Sequence, residues 1–226
     1  MLTWLFRPQC AACGVAATTL CETCAATLLE LGPACPRCAE PSDRAAICLR
    51  CRGTPLPLAQ VLVPWRFGGQ LASAIRRLKF AQRTHVARDL APLWAPLLGA
   101  AVATHDALVV PIPLHWRRRF RRGYDHAWLL AIHACASVRI APPRPILHRT
   151  RETPPQSTLD ASHRRANLEG AFVVRDPSAV AGRAIVLVDD VVTTGATLAA
   201  AAGPLLAAGA TAVIAVALAR ATSAPG

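Results

Sequence analysis

Eight of the nine cysteines in this 226-residue chain lie within its first 51 residues, as four Cys-x-x-Cys pairs. A two-residue spacer lets both sulfurs of a pair bind one tetrahedral metal ion, and two pairs complete a four-thiolate zinc site. The spacing predicts up to two structural zinc ions, which a segment this short needs because it has little core of its own. The predicted ligands are Cys10, Cys13, Cys21, Cys24, Cys35, Cys38, Cys48 and Cys51.

The cysteine spacing leaves two alternatives open. A disulfide framework is typical of secreted chains, whereas Met1–Arg7 lacks the basic start and the long apolar run of an export signal. The pairs can share ions sequentially, first with second and third with fourth, or in an interleaved order, first with third. Cys135 stands alone in an apolar stretch and is interpreted as a core residue.

Charge and proline content divide the chain near Gly53–Pro57. Residues 1–56 carry five basic and four acidic side chains, a net charge of +1, whereas residues 57–226 carry 20 and nine, a net charge of +11. The proline-rich link resists helix and strand alike. We therefore predict a cysteine-rich module at residues 1–56 and a basic domain at residues 57–226, for which a phosphate-bearing partner is plausible.

The second domain alternates short apolar strands with helical segments. Strands are expected at 61–67, 107–112, 184–189 and 212–218, and helices at 70–80, 86–103, 125–138 and from 196, with Pro204 expected to kink or end the last one. This order predicts an α/β fold with a parallel sheet covered on both faces. Residues 191–219 contain no charged side chain, but their glycines and Pro204 favour a buried helix, turn and strand over a membrane span.

The helix expected at 70–80 is amphipathic. Its apolar face consists of Leu71, Ala74, Ile75 and Leu78. Its basic residues, Arg76, Arg77 and Lys79, are expected to turn away from that face.

The most informative segment is the run IVLVDDVVTTGATL at residues 185–198. An apolar strand delivers Asp189 and Asp190 to the carboxyl edge of the sheet, where open α/β sheets bind ligands. Gly195 permits a close backbone approach, and the helix that follows points amides at an anion. The carboxylates suit vicinal sugar hydroxyls and can hold Mg²⁺ through water. The alternative is a strand end with solvated acids and a threonine cap.

These residues closely resemble the 5-phosphoribosyl-1-diphosphate (PRPP) signature of type I phosphoribosyltransferases. The resemblance implies that Asp189 and Asp190 contact the ribose hydroxyls, as the catalytic acids if the protein is an enzyme. It also implies a loop for the 5-phosphate, formed by Val192, Thr193, Thr194, Gly195, Ala196 and Thr197. Any chemistry would displace pyrophosphate, with Mg²⁺ neutralising the leaving group.

Further segments resemble the ComF family of competence-associated proteins, which carry an N-terminal double zinc ribbon. They are residues 110–127, residues 153–157 with 164–168 and 171–172, and Leu78–Phe80. After Arg122 and Gly123 the family has an aromatic residue, Asn and Gln, whereas this chain has Tyr124, Asp125 and His126. The resemblance implies a type I phosphoribosyltransferase fold, with a parallel sheet flanked by helices, behind a small zinc-ribbon module.

The segment after the strand at 107–112 occupies the place of the pyrophosphate loop by that resemblance. It continues into an arginine cluster interleaved with Trp116, Phe120 and Tyr124, a combination suited to single-stranded nucleic acid. The alternative is a solvated basic turn whose aromatic side chains pack inward. The candidate contacts are Pro113, Leu114, His115, Arg117, Arg118, Arg119, Arg122 and Gly123.

Three functions stay open at this level, because one fold hosts several functions. The first, implied by the family, is a cytosolic DNA-uptake protein without membrane insertion. It binds single-stranded DNA and also PRPP or a nucleotide phosphate, and it works with other DNA-uptake proteins. The second is an active phosphoribosyltransferase of nucleotide salvage, although no base-selecting segment is recognisable near the C-terminus. The third is a non-catalytic sensor of PRPP.

Overall fold

The apolar runs form a parallel sheet in the computed structural model, which describes residues 8–16, 19–151, 168 and 170–222. The strands are β1 (Gln60–Leu62), β2 (Trp65–Arg66), β3 (Leu108–Pro111), β4 (Leu147–Arg149), β5 (Phe172–Val174), β6 (Ala184–Val192) and β7 (Ala212–Arg220). The order is β1-β7-β6-β3, and β2 extends the pairing along β7. β4 and β5 form a separate antiparallel pair. The strand expected at 61–67 is split because Pro64 has no N–H to donate.

The helices cover the sheet and carry the loops at its edge. They are α1 (Glu22–Ala25), α2 (Leu49–Gly53), α3 (Gly69–Phe80), α4 (His85–Leu90), α5 (Ala95–His105), α6 (Trp116–Arg122), α7 (His126–Ser137) and α8 (Ala196–Ala207). Pro204 does not end α8, which continues for three residues to Ala207 and buries Leu205. The arginine cluster forms the helix α6, which the sequence pattern did not predict because none of its residues is buried.

Alternate side chains of the central strands enter two different hydrophobic cores. Val186 and Val188 of β6 pack on the side of α3, α4, α5 and α7. Ile185 and Leu187 pack on the side of α8. Because successive strand residues point to opposite faces, a continuously apolar strand requires cover on both sides. The predicted α/β fold with helices on both faces is therefore confirmed.

The carboxyl ends of the parallel strands meet at one edge of the sheet. β3 ends at Pro111 and leads through a short loop into α6. β6 ends at Val192 and leads through the turn at residues 193–195 into α8. This topology brings two distant loops to the same edge.

The basic side of α3 departs from the sequence-based expectation. Arg76 is exposed, as expected. Arg77 instead donates to the carbonyl oxygens of Cys10 and Ala12, and Lys79 pairs with Asp190. The prediction of an outward-facing basic side is therefore wrong for two of the three residues, because the zinc module and the end of β6 lie against this helix.

Two further expectations concern membranes and the segments of the family resemblance that lie outside the described residues. Among the described helices, no single one is long and apolar enough to cross a membrane. His85–Leu93 with Ala95–His105 meets that test only as a pair bent by 67°. The start Met1–Arg7 and the segments 153–157 and 164–167 lie outside the described residues.

Candidate functional site

A cleft of about 760 Å³ opens at the carboxyl edge of the sheet. Its walls come from the end of α3, the loop after β3, the helices α6 and α7, and the end of β6 with the turn that follows. Asp189 and Asp190 both line it. The cleft is therefore located where ligands bind in open α/β folds.

The turn between β6 and α8 presents donors to this cleft. Thr193, Gly195 and Thr197 line the cleft. The amides of Thr193, Thr194 and Gly195 donate to no backbone carbonyl of the described residues. Together with the amino end of the 12-residue helix α8, they form a cradle for an anion.

The backbone conformation of residue 195 requires a glycine in this turn. Its φ of +79° lies in the left-handed region, which L side chains adopt only with strain. A Cβ atom here would also lie 2.9 Å from Cδ1 of Leu56, a residue of the proline-rich link. The link therefore packs directly against the anion cradle.

The two neighbouring acids have different surroundings. Asp190 follows Val186 and Val188 on the strand face that packs against α3 and α7, because side chains alternate along a strand. Lys79 Nζ lies 2.5 Å from its Oδ2, and the Val191 amide donates to its Oδ1 at 2.8 Å. Asp189 is only partly buried, and its Oδ1 accepts from the Asp190 amide at 2.8 Å.

A histidine and an arginine complete the surroundings of Asp190. His126 Nε2 lies 3.6 Å from Asp190 Oδ2, and Arg122 Nη1 lies 2.7 Å from His126 Nδ1. A guanidinium can only donate, so Nδ1 accepts and the hydrogen of a neutral His126 must be on Nε2, directed at Asp190. Tyr124 OH donates to the carbonyl of Leu78, which joins this segment to α3.

These surroundings separate the ionisation of the two acids. Burial raises the pKa of Asp189 to about 8, and the charge of Asp190 adds to the rise, although Lys79 opposes it. Burial also acts to raise the pKa of Asp190, but Lys79 and then His126 outweigh it and hold that pKa well below its usual range. Asp190 is therefore the ionised, paired acid, and Asp189 is the acid of the two that holds a proton more readily.

Asp125 fixes the loop after β3. Its Oδ2 accepts from the Leu114 amide at 2.8 Å, and its Oδ1 accepts from the amides of Ala127 and Trp128 at the start of α7. One backbone amide of the expected pyrophosphate loop is consequently already engaged. A carboxylate at this place also repels a second anion.

The helix α6, whose Arg118, Arg121 and Arg122 line the cleft, carries exposed aromatic rings, and Phe80 at the end of α3 also lines the cleft. The exposed fractions of Phe80, Trp116 and Phe120 are 74%, 63% and 86%. The Arg122 guanidinium lies 5.3 Å from the Phe80 ring centroid, and that of Arg117 lies 5.2 Å from the Trp116 ring. Trp116 and Phe120 therefore do not pack inward, which was the alternative considered for this segment.

The cleft brings together some of the predicted contacts and leaves others outside. Those that line it are Asp189, Asp190, Val192, Thr193, Gly195, Thr197, Pro113, Leu114, Arg118 and Arg122. Thr194 instead accepts from the Ala196 amide with its hydroxyl at 3.3 Å, at the start of α8. His115 is buried before α6, and Gly123 ends that helix with a φ of +83°. Arg117 and Arg119 are exposed on α6.

The eight cysteines form two four-sulfur clusters, and their pairing is sequential. A tetrahedral zinc with Zn–S bonds of about 2.3 Å requires sulfurs about 3.8 Å apart. The Sγ atoms of Cys13 and Cys21 are 3.8 Å apart, and those of Cys38 and Cys48 are 3.7 Å apart. The amides of Cys21 and Cys48 donate to the first sulfur of their own cluster at 3.4 and 3.3 Å. Both clusters fit structural zinc.

Comparison with known protein families finds two matching domains in this chain. The Double zinc ribbon domain matches residues 1–52, and the Phosphoribosyl transferase domain matches residues 143–225. The DNA utilization protein YhgH of Escherichia coli (strain K12) is 34% identical over 86% of this chain and 87% of the relative. Competence protein F of Haemophilus influenzae is 30% identical over 81% and 82%, and Competence protein ComFC of Bacillus subtilis is 27% identical over 83% and 78%.

The chain belongs to the ComF family. The zinc ribbons and the phosphoribosyltransferase fold expected from the sequence are thereby confirmed. The boundary near residue 56 stays a prediction, because the two family matches leave residues 53–142 between them. Cys135 is buried in the core, as interpreted from the sequence.

Sequence reasoning missed several residues of this ComF cleft. Lys79 was noted as part of a family-like tripeptide and of the basic side of a helix but not as a site residue, and Arg121 and Arg149 were not selected as contacts although they line the cleft. Asp125 and His126 were recognised only as departures from the family pattern. The sequence did offer one signal for these two positions: Asp125 and His126 are ionisable, whereas the family has amides there.

Magnesium at the acids was expected from the resemblance, and the donor set does not fit a directly coordinated ion. His126, Asp189 and Asp190 have candidate ligand atoms within 4.8 Å of one another. However, Oδ2 of Asp190 is paired with Lys79, and Nδ1 of His126 accepts from Arg122. Oδ2 of Asp190 accepts no hydrogen bond but is already neutralised by the Lys79 ammonium, and His126 keeps no lone pair for an ion.

Proposed function

We propose that this ComF protein acts in DNA utilisation, binding single-stranded DNA at the rim of its cleft and a phosphorylated ribose inside it. The ribose belongs to PRPP or to a nucleotide. The observation that carries the proposal is that one cleft combines the anion cradle of α8, Asp189 and the arginines of α6. The names of the relatives, which refer to DNA utilization and competence, support the biological setting.

The inner part of the cleft suits a sugar phosphate. The free amides of residues 193–195 and the threonine hydroxyls offer donors to a phosphate monoester. Asp189 lies beside this cradle and can exchange hydrogen bonds with ribose hydroxyls. Mg²⁺ bound together with PRPP stays a prediction of the family resemblance.

The rim suits a single strand better than a duplex. Exposed rings such as Trp116 and Phe120 give flat surfaces on which unpaired bases stack. Arg118, Arg121 and Arg122 line the cleft and belong to the same helix as these rings, so they can contact phosphates of the same strand. The engaged amide of Leu114 favours binding over pyrophosphate transfer, because it removes a donor from the leaving-group site.

The first prediction concerns DNA binding. Trp116→Ala and Phe120→Ala should each weaken binding of a labelled single-stranded oligonucleotide about tenfold, since stacking of one base contributes roughly 1–3 kcal/mol. Arg118→Ala should weaken binding and flatten the plot of log affinity against log salt by about 0.7 for each lost phosphate contact. Fluorescence anisotropy over a range of salt concentrations measures both effects.

Matched controls come from the opposite edge of the sheet and from α8. Arg183 is exposed at the amino end of β6, and Leu206 is an exposed apolar residue of α8. Arg183→Ala and Leu206→Ala should leave the affinity unchanged. Equal losses in the rim and control variants, or wild-type binding independent of salt, would contradict the proposed DNA site.

PRPP binding is tested on the same protein by calorimetry, with Asp189→Asn as the variant of the cleft. Heat of binding that Asp189→Asn removes supports the sugar-phosphate site, and its absence in the wild type contradicts it. Release of pyrophosphate with a nucleobase would assign the protein to salvage transferases instead. The cytosolic location and association with other DNA-uptake proteins stay predictions.

A further inference from the structure

Lys79 is the only lysine among the 25 basic residues of the chain, and it neutralises the buried acid of the cleft. The side chains of Lys79 and Asp190 are 24% and 4% exposed. Arginine spreads its charge over a planar fork, whereas lysine carries a compact point charge on a flexible stem. The ammonium group of lysine is therefore closer than a guanidinium to a bound metal ion in size, and it faces a carboxylate as such an ion does.

Both oxygens of Asp190 are already used. Oδ1 accepts from the Val191 amide, and Oδ2 lies 2.5 Å from Lys79 Nζ. Mg²⁺ binds carboxylate oxygens at about 2.1 Å, so an ion on Oδ2 would lie at most about 4.6 Å from the ammonium nitrogen. A dication and an ammonium that close repel each other strongly in a buried site.

His126 adds no metal ligand here. Arg122 donates to its Nδ1, and the remaining hydrogen of the neutral ring is on Nε2, facing Asp190. A nitrogen that carries a hydrogen has no lone pair for a metal. The three groups nearest to Asp190, which are the Val191 amide, Lys79 and His126, therefore carry hydrogens towards it and are not metal ligands.

We propose that Lys79 takes the place of a divalent cation at Asp190, so that the cleft binds a ribose 5-phosphate group without a metal ion on the acid pair. Asp189 is then the carboxyl group that meets the sugar hydroxyls, and Asp190 holds Lys79 and His126 in position. The identity of the ligand rests on the proposed function, whereas the arrangement of the acids rests on the geometry alone.

A manganese titration tests the geometry without any ligand. Free Mn²⁺, followed by electron paramagnetic resonance, should stay unbound with the wild-type protein. Lys79→Met removes the ammonium and should bind one equivalent of Mn²⁺, which the double variant Lys79→Met with Asp190→Asn should lose. Uptake of Mn²⁺ by the wild type that Asp190→Asn abolishes would overturn the proposal. It is equally overturned if folded Lys79→Met binds no Mn²⁺.

Ribose 5-phosphate tests the consequence for binding, because it has the phosphate and the hydroxyls but no pyrophosphate that binds Mg²⁺ by itself. Calorimetry compares buffer freed of divalent ions on a chelating resin with the same buffer containing excess Mg²⁺. EDTA is avoided because it removes zinc. Wild-type affinity should change by less than about twofold, and Lys79→Met should bind about tenfold more weakly without metal and regain affinity with Mg²⁺.

Arg76→Met is the matched control for this measurement. It removes the same charge from the same helix, but Arg76 is exposed, lies over the Phe67 ring and is not among the residues that line the cleft. Its affinity for ribose 5-phosphate should equal that of the wild type. A wild-type affinity that falls tenfold without Mg²⁺ would overturn the proposal. If ribose 5-phosphate does not bind under either condition, the proposed ligand is wrong, and the manganese titration still decides the role of Lys79.

Discussion

The two zinc clusters have the same ligands and the same pairing, yet they are attached to the rest of the protein in different ways. Cys10 and Cys24 of the first cluster are buried in the larger core, together with Leu71 and Ile75 of α3. The cysteines of the second cluster form a small apolar group of their own, which only Leu56 of the link joins.

Several polar contacts hold the second cluster, in addition to Leu31 and Ala39, which are buried in the core on the α8 side. Buried Arg220, at the end of β7, donates to the carbonyl oxygens of Ala39 and Val192 and pairs with Glu40. Arg37 donates from the module to the carbonyl of Leu58, and the Val61 amide donates to that of Pro36. Among the described residues, the comparable polar anchor of the first cluster is Arg77.

The two metal sites have identical ligands but support different parts of the protein. The first cluster is part of the core that positions α3, and α3 carries Lys79 to the cleft. The second cluster fastens the link and the end of β6, so that Leu56 lies against Gly195 of the anion cradle. One motif therefore supports opposite walls of the same cleft.

The largest expected effect is the loss of a zinc site. Cys24→Ser should abolish cooperative thermal unfolding, because structural zinc contributes up to roughly 10–16 kcal/mol and this site lies in the main core. Cys51→Ser is the matched variant and should lose one zinc ion but keep cooperative unfolding of the sheet. Circular dichroism and zinc content measure both. Equal losses of stability would refute the distinction between the clusters.

A smaller effect is expected from the arginine anchors. Arg220→Met should lower the free energy of unfolding by about 3 kcal/mol, because it removes a buried guanidinium that holds the Ala39 carbonyl and Glu40, although the Val192 carbonyl keeps the Ala221 amide as a donor. Arg77→Met should lower it by about 1–2 kcal/mol, since the Cys10 carbonyl keeps the Gly14 amide as a donor. Denaturant unfolding measures both values.

The same two variants should affect different zinc ions. Arg220→Met should speed release of the second ion to a chelating dye, and Arg77→Met that of the first. Repeating the measurement in the Cys51→Ser background, which retains only the first ion, identifies the one released. If Arg77→Met has no effect on release in that background, Arg77 does not anchor the first cluster.

The smallest expected effect is the difference in stability between alanine substitutions at two glycines of the cysteine-rich module. Gly14 and Gly32 have φ of +84° and +71°, so alanine at either position should cost about 1 kcal/mol of backbone strain. A Cβ atom at Gly14 also lies 3.3 Å from the Arg77 guanidinium, whereas nothing lies within 4 Å at Gly32. Gly14→Ala should therefore be the more destabilising by about 1 kcal/mol. Urea unfolding measures the difference, and equal values would show that Arg77 moves aside freely.

Much of the fold was predictable because its signals are local. The strands at β3, β6 and β7 are continuous apolar runs, and α3 and α7 were expected within one or two residues of their ends. The helix α6 was missed because its residues are exposed and show no apolar period. The segment expected as one strand at 61–67 forms two strands, because Pro64 interrupts it. The apolar pattern by itself does not show this interruption.

The candidate site was predicted less completely than the fold. The run from Asp189 to Thr197 was identified because its strand, turn and helix start are adjacent in sequence. Their partners lie far away along the chain: Lys79 is 111 residues from Asp190, and Arg220 is 180 residues from Glu40. Both basic residues look like ordinary surface charges when only local periodicity is considered.

The sequence by itself determined the metal chemistry, the parallel sheet and the anion-binding turn, since each depends on residues a few positions apart and on backbone geometry that those residues dictate. Only the tertiary structure decided which charges meet: Asp190 with Lys79 and His126, Asp125 with Leu114, and Arg220 with Glu40. The physical reason is that the electrostatic environment of a buried acid is set by side chains on other elements that pack against it, and that packing is specified by the whole core at once.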